Sequence, residues 1–343
     1  PGRALGAPFM SSPRRTVDVA VCTVTHDSAG ELGAWLEALT RLDPAPREIS
    51  VVDCASRDAT VTGLREGAES KGLTIALAPL SENLGFAGGM NRAIAATDST
   101  WILSLNPDAR PAPDFLARLL ATTQAHDRVA AVTGRLVRPD SQEPPRLDAC
   151  GMRLTWSWRH FDRGSEEVDR GQFEHREEVF GATGAASLFS RAALEDCALE
   201  GQFFDEWFHT CREDAELAFR FQERGWRVLY EPTARCEHRR TNVPRRRRQM
   251  GERVNRDTLK HRYLLRAYHQ TAGNFRLTSI PTLGRDLAIL LWVLLRERSS
   301  LPAYRWLWQH RREIAQRRAW LQARRTASPW SIDRWFLRTG RPA

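Results

Sequence analysis

Between Val17 and Val132, short β-branched runs alternate with amphipathic helical stretches, and this rhythm constrains the fold more than any other feature of the chain. The strand-like runs are Val17 to Thr25, Glu48 to Cys54, Leu73 to Ala78, Trp101 to Leu105 and Val129 to Val132. Helical spacing fills the intervals. Leu32 to Leu42 places Leu32, Trp35, Leu36 and Leu39 on one face, and Gly89 to Ala96 and Asp114 to Ala125 follow. The alternation predicts a mostly parallel α/β sheet flanked by helices, with ligands bound by loops at the carboxyl ends of the strands. With 42% hydrophobic residues in 343, the chain can fill one large or two medium cores and is not disordered throughout.

The rhythm breaks after Arg138. Pro139 to Pro145 and the polar stretch to Glu178 predict irregular structure beside the sheet. Val179 to Phe189 is strand-like, Glu213 to Arg224 helical with Gly225 as its stop, and Trp226 to Tyr230 a strand. Beyond Pro232 the pattern predicts helices over 250–269, 283–296 and 303–325. The sheet is then complete before about residue 275, and the extension should be dispensable for folding. Residues 1–16 lack an apolar h-region and read as a flexible leader.

The formal net charge of +9 hides an asymmetry. Residues 233–343 hold 26 Lys and Arg against 7 Asp and Glu, which leaves the first 232 residues net acidic. The basic part opens with Arg245 to Arg248 and carries six of the twelve tryptophans, with an apolar run from Leu287 to Leu295. Arginine, interfacial tryptophan and a short apolar run predict helices lying in an anionic bilayer surface. A small helical core with a solvated Arg face is the alternative. Nucleic-acid binding on an α/β scaffold, without catalysis, is a third reading that the acidic body disfavours. Nine apolar residues fall short of the roughly twenty a membrane span takes, so no transmembrane helix is expected. The six cysteines lack zinc or redox spacing and read as free thiols in a reducing, cytoplasmic compartment.

Four segments carry candidate chemistry. The first strand ends at Thr25 and the second at Asp53, where a carboxylate can accept from a nucleobase or ribose, while Ser56, Asp58 and Thr60 read as helix caps. Asn83 to Arg92 holds three glycines before a helix whose N-terminus could take a diphosphate, or it forms a tight turn with no ligand; its spacing is not that of a dinucleotide dehydrogenase. Asp108, in Asn106-Pro107-Asp108, can hold a divalent cation or simply form a turn. Glu213, Asp214 and Glu216 open a helix after the aromatic segment Phe203 to Phe208. Acidic residues there favour the helix dipole, and one of them can serve as a general base. His238 follows the last strand and needs a partner to acquire a role.

Taken together, the segments VVDCASRDAT, NLGFAGGMNRA, LNPDA and REDAELAFRF resemble those of the inverting glycosyltransferases of family 2, with the nucleotide-diphospho-sugar (GT-A) fold. The resemblance spans about Val17 to His238 and is greatest to bacterial rhamnosyltransferases acting on polyprenyl-diphosphate-linked sugars. It implies a GT-A catalytic domain over 17–240 and a helical, membrane-associating region over 241–343. Thr25 and Asp53 would contact base and ribose, and Asn83, Gly88 and Asn91 would line the nucleotide-sugar site. Asp108 and His238 would hold Mg²⁺ or Mn²⁺, and Asp214 would be the catalytic base, with Glu213, Asp205 and Glu206 as its alternatives. The family's metal motif is often Asp-x-Asp, and here Asn106 takes the first position. The implied reaction moves a sugar, best matched by L-rhamnose from dTDP-L-rhamnose, onto a polyprenyl-diphosphate-linked glycan at the inner face of the cell membrane. A nucleotidyltransferase of the same fold would instead release pyrophosphate.

Overall fold

The computed structural model describes residues 15–139, 144–240 and 251–337; the Arg245 to Arg248 run and nearly all of the leader lie outside them. The β-branched runs form strands as their sequence requires: β1 (Thr16–Thr25), β2 (Ala45–Cys54), β3 (Ala76–Leu80), β4 (Trp101–Leu105) and β6 (Val129–Val137). Between them run α1 (Ala29–Arg41), α2 (Thr60–Ser70), α3 (Gly85–Ala95) and α4 (Phe115–Thr123), with the short β5 (Ala109–Pro111) after β4. The stretch expected to be irregular contains β7 (Leu147–Ala149), a hairpin of β8 (Met152–Leu154) and β9 (His160–Asp162), and β10 (Glu177–Val179). Then follow β11 (Ala186–Ser190), α5 (Arg191–Asp196), α6 (Glu213–Glu223) and β12 (Arg227–His238).

The main sheet has the order β10-β12-β6-β11-β4-β1-β2-β3, with β5 on β12 and β7 on β6. β3, β2, β1 and β4 are parallel, as are β12 and β6, but β11 lies antiparallel between β4 and β6. The sheet is therefore mixed. One face packs on α1, α2 and α4 through Trp35, Leu36, Leu64 and Phe115; the other packs on α3, α5 and α6 through Met90, Ile94, Leu194 and Phe221.

The basic C-terminal part is helical, as its pattern predicts: α7 (Glu252–His269), α8 (Ala272–Arg296), α9 (Pro302–Gln309), α10 (Arg311–Arg324) and α11 (Trp330–Leu337). It is not a dispensable appendage. A third core joins Trp158, Phe180, Phe208 and Phe219 of the body to Leu264, Tyr268, Ile314, Leu321, Trp335 and Phe336. Buried charge fastens the same interface. Arg317 of α10 donates to Asp205 at 2.8 Å, and His269 of α7 lies between Glu223 (3.1 Å) and Glu216 (3.5 Å). Trp335 thus serves as core, whereas Trp308 and Trp330 are largely exposed.

The apolar run Leu287 to Leu295 belongs to a longer helix than its sequence displays. α8 starts at a Thr271 capping box and runs through Pro281, so the nine-residue apolar run sits inside a helix of 25 residues. By length and composition α8 could cross a membrane. Its inner side is polar, with Asn274, Thr278 and Thr282 buried, and its outer side exposes Ile280, Leu283, Leu287, Leu291 and Leu295. That two-sidedness suits a helix lying in an interface.

Candidate active site

Two junctions of the sheet bring Asp108 and His238 together. The Asn106-Pro107 turn reverses the chain after β4 so that β5 pairs antiparallel with the end of β12, Ala109 opposite His238. Nε2 of His238 then lies 3.2 Å from Oδ1 of Asp108, and its Nδ1 lies 2.7 Å from Oδ2 of Asp148 on β7. All three side chains are buried. Burial opposes charge on the ring, yet hydrogen bonds to Asp108 and Asp148 carry the His238 pKa up to about 9. Burial likewise works against both carboxylates, and His238 outweighs it, holding each below its ordinary range.

The donor set suits a divalent cation. One carboxylate oxygen and one imidazole nitrogen converge, and a carboxylate stands on the far ring nitrogen to orient it. Among the described residues no group of three His, Cys, Asp or Glu side chains forms a complete metal site. Asp108 and His238 would supply two ligands of such a shell, with the remaining positions left to oxygens from outside the protein. Asn106 lines the same cleft but offers an amide oxygen in place of a second charge.

The cleft, of about 620 Å³, is lined by Asp108, Asp148, Asp162, Glu213, Asp214 and His238 among others. Asp214 sits in the first turn of α6, accepting from the backbone N–H of Ala215 at 2.8 Å and of Gly184 at 3.2 Å. Burial and then the Asp162 carboxylate raise its pKa to about 6. Glu213, more buried and with Oε2 lacking a hydrogen-bond partner, is pushed well above the usual carboxylate range by burial and by Asp214. Both carboxyls of this acidic pair are thus held above the ordinary carboxylate range. Asp205 and Glu206 take no part in the cleft lining: Asp205 is buried under Arg317, and Glu206 accepts from Asn91 at 3.1 Å.

A tight turn aims Asp214. Cys211 (φ 71°) and Arg212 (φ 80°), neither of them glycine, lie in the left-handed region at a cost of about 1–2 kcal/mol each. Helix α7 holds them there, since Nδ1 of His261 lies 2.9 Å from the Cys211 carbonyl. No sequence signal linked His261 or Asp148 to the site; an Asp in the apolar run Leu147-Asp148-Ala149-Cys150 was the only hint of a buried carboxylate with a task.

The residues expected at the nucleotide have partners within the protein. Oγ1 of Thr25 donates to Asp53 at 2.8 Å, and both are buried at the ends of β1 and β2. Ala59, and none of Ser56, Asp58 and Thr60, occupies the N-cap position of α2, although Asp58 does accept from the Thr60 N–H at 3.0 Å at the start of that helix. The three side chains also stitch two loops together: Asp27 N–H donates to Ser56, Ala29 N–H to Asp58 and Ser28 N–H to Thr60. The Asn83 to Gly89 segment is not an open glycine cradle. α3 already begins at Gly85, and the N–H groups of Phe86 and Ala87 donate to Thr210 Oγ1 and the His209 carbonyl, where a diphosphate was expected. A Cβ on Gly88 would lie 2.8 Å from Leu84, and one on Gly89 2.7 Å from Val24, so these glycines permit close packing. Asn83 accepts from Gly85 N–H, and Asn91 bonds the Phe204 backbone in both directions.

All six cysteines are free, as expected, and five are buried.

Residues 13–258 match the family described as Glycosyltransferase like family 2. The N-acetylglucosaminyl-diphospho-decaprenol L-rhamnosyltransferase of Mycobacterium tuberculosis is 26% identical over 247 residues, 64% of this chain and 75% of that protein. Among solved structures, the mannosyltransferase PcManGT from Pyrobaculum calidifontis, in complex with GDP-Man and Mn²⁺, aligns with a TM-score of 0.53 at 19% identity. That alignment covers 98% of this chain and 92% of that one. S. aureus TarS 1-349 in complex with UDP-GlcNAc aligns at 0.55 and 15% identity, covering 83% and 79%. Both likenesses are of fold.

Proposed function

The chain belongs to the Glycosyltransferase like family 2, and from that membership we propose that it transfers a sugar, with inversion, from a nucleotide-diphosphate donor to a hydroxyl of a polyprenyl-diphosphate-linked glycan. It is a glycosyltransferase of GT-A fold. The observation that carries the finer reading is the convergence in one cleft of Asp214 with the Asp108–His238 pair. L-Rhamnose is the sugar that the relative's activity favours, and dTDP is the carrier that the family resemblance implies.

Asp108 and His238 would hold Mg²⁺ or Mn²⁺, which when bound offsets the charge building on the leaving diphosphate. Asp148 keeps the His238 ring turned toward that position. Thr25 and Asp53, bonded to each other at the carboxyl ends of β1 and β2, would meet base and ribose, and Asn83, Gly88 and Asn91 would line the nucleotide-sugar site. Asp214 takes the proton from the acceptor hydroxyl as that oxygen attacks the anomeric carbon opposite the diphosphate. One displacement inverts the centre, so none of the cysteines is needed as a nucleophile. The exposed apolar side of α8 and the surrounding arginines hold the enzyme peripherally on the cytoplasmic face of the membrane.

Incubation of the full chain with dTDP-L-rhamnose, Mn²⁺ and a short prenyl-diphosphate-linked N-acetylglucosamine tests the reading. Rhamnosyl product and dTDP are expected in equal amounts. Release of pyrophosphate would make it a nucleotidyltransferase, and product only from another nucleotide sugar would move the donor assignment. Family membership sets aside a purely nucleic-acid-binding role.

A further inference from the structure

Away from the carboxylates, the cleft carries a group of cations. Arg159, in the turn between β8 and β9, and Arg285, on α8, both line it. The Arg159 guanidinium stands 3.9 Å from the ring centre of Phe161, and Arg153, across the hairpin, stands 5.5 Å from the same ring. Arg240, by contrast, is committed to Asp162 at 2.7 Å. Among the described residues Arg153, Arg159 and Arg285 form no ion pair, and Nε of Arg285 is buried without a hydrogen-bond partner. The one carboxylate nearby on α8, Asp286, is engaged by Arg262 and Arg266. Burial and then the mutual repulsion of Arg285, Arg262 and Arg153 push the Arg159 pKa down to about 10. Such a group is relieved when an anion settles among the guanidiniums.

The two arginines are held in fixed relation. Trp158 donates to Thr278 at 3.0 Å and Thr282 to the Trp156 carbonyl at 3.2 Å, so the hairpin turn is fastened to the polar side of α8. The opposite side of that helix is the exposed apolar face, with Ile280 at 85% and Leu295 at 73% of full exposure. Arg285 and the apolar track therefore belong to one helix, to which the turn bearing Arg159 is fastened.

We propose that Arg159 and Arg285, flanked by Arg153, seat the diphosphate of a prenyl-diphosphate acceptor, whose prenyl chain leaves along the exposed face of α8. This rests on the acceptor class argued above. The test measures binding to the full chain of geranyl diphosphate, inorganic pyrophosphate and phosphatidylglycerol vesicles. EDTA is present throughout to disable a metal-dependent donor site. Arg159→Gln and Arg285→Gln should each weaken both diphosphates about ten-fold or more, and the double variant further, with vesicle binding and melting temperature unchanged. Lysine at either position should restore part of the affinity, which separates lost charge from lost fold. Diphosphate binding unaltered in the double variant, or a loss confined to vesicles, would overturn the assignment. Transfer that proceeds with an unchanged acceptor KM in the double variant sinks the seat and leaves the glycosyl transfer standing. Arginine-dependent diphosphate binding by a protein that transfers no sugar does the reverse.

Discussion

Nδ1 of His238 lies 2.7 Å from Asp148, so the ring has one orientation and one nitrogen, Nε2, facing Asp108. Asp148→Ala leaves both proposed ligands in place and frees the ring. The Mn²⁺ concentration for half-maximal transfer should rise about 10–100-fold, with turnover at saturating metal near that of the parent. A titration of activity against Mn²⁺ checks this, and an unmoved midpoint would leave Asp148 a purely structural partner.

Excess EDTA should stop transfer, and Asp108→Ala should weaken donor binding in the presence of metal but not in its absence. Donor affinity by calorimetry, with and without Mn²⁺, decides the point. Full activity in EDTA would assign the diphosphate's charge to arginines alone.

Gly184 and Ala215 donate to different oxygens of Asp214, so Asp214→Asn, with one acceptor oxygen, keeps one of these hydrogen bonds and cannot take a proton; turnover should fall roughly 10²–10⁴-fold with donor binding intact. The same change removes a pH-dependent burial cost. A carboxyl whose pKa is raised from 3.8 to about 6 contributes stability below the lower value that is lost as pH rises through the upper one. The melting temperature of the variant relative to the parent should therefore rise between pH 4 and pH 7.5. A difference that does not change with pH would contradict the burial argument.

The pH profile of turnover should have an acid limb near 6, reporting the ionisation of Asp214. Asp162→Asn, by removing a neighbouring negative charge, should move that limb to lower pH. A limb that stays in place after this substitution would give it to another group.

Arg317→Ala strands the buried Asp205 carboxylate, and breaking such a pair costs about 3–5 kcal/mol. Termination after residue 270 removes Ile314, Leu321, Trp335 and Phe336 from the third core and should yield insoluble protein. Circular dichroism melts and the soluble yield of the truncated chain are the measurements. A soluble truncated form that still binds nucleotide would restore the view of the tail as an appendage.

The parallel half of the sheet was legible because β1, β2 and β4 bury most of their residues and so read as apolar, β-branched runs, whereas the edge strand β3 is largely exposed. β11 inserts antiparallel through pairing with β4 and β6, a non-local choice that Ala186 to Ser190 does not display. Asp108, Asp214 and His238 stood out because each lies at the edge of a regular element in a distinctive segment, and all three line one cleft. The glycines of the 85–89 segment misled: the same residue type serves a ligand's close approach and a helix's close approach to a sheet. The tail misled for a related reason. Arg317 and Arg334 look like solvated cations in sequence, yet their partners, Asp205 and Glu178, lie more than a hundred positions away.

Helix α8 presents an arginine of the cleft on one side and leucines on the other. An enzyme held on a bilayer by this helix, as proposed above, would meet its acceptor in two dimensions, so the relevant quantity would be acceptor per unit of bilayer area and not per unit of volume. Adding empty vesicles at constant total acceptor should slow the reaction, although no reagent has been diluted in the tube. In a cell, crowding of the lipid leaflet would then set the rate as surely as the supply of nucleotide sugar.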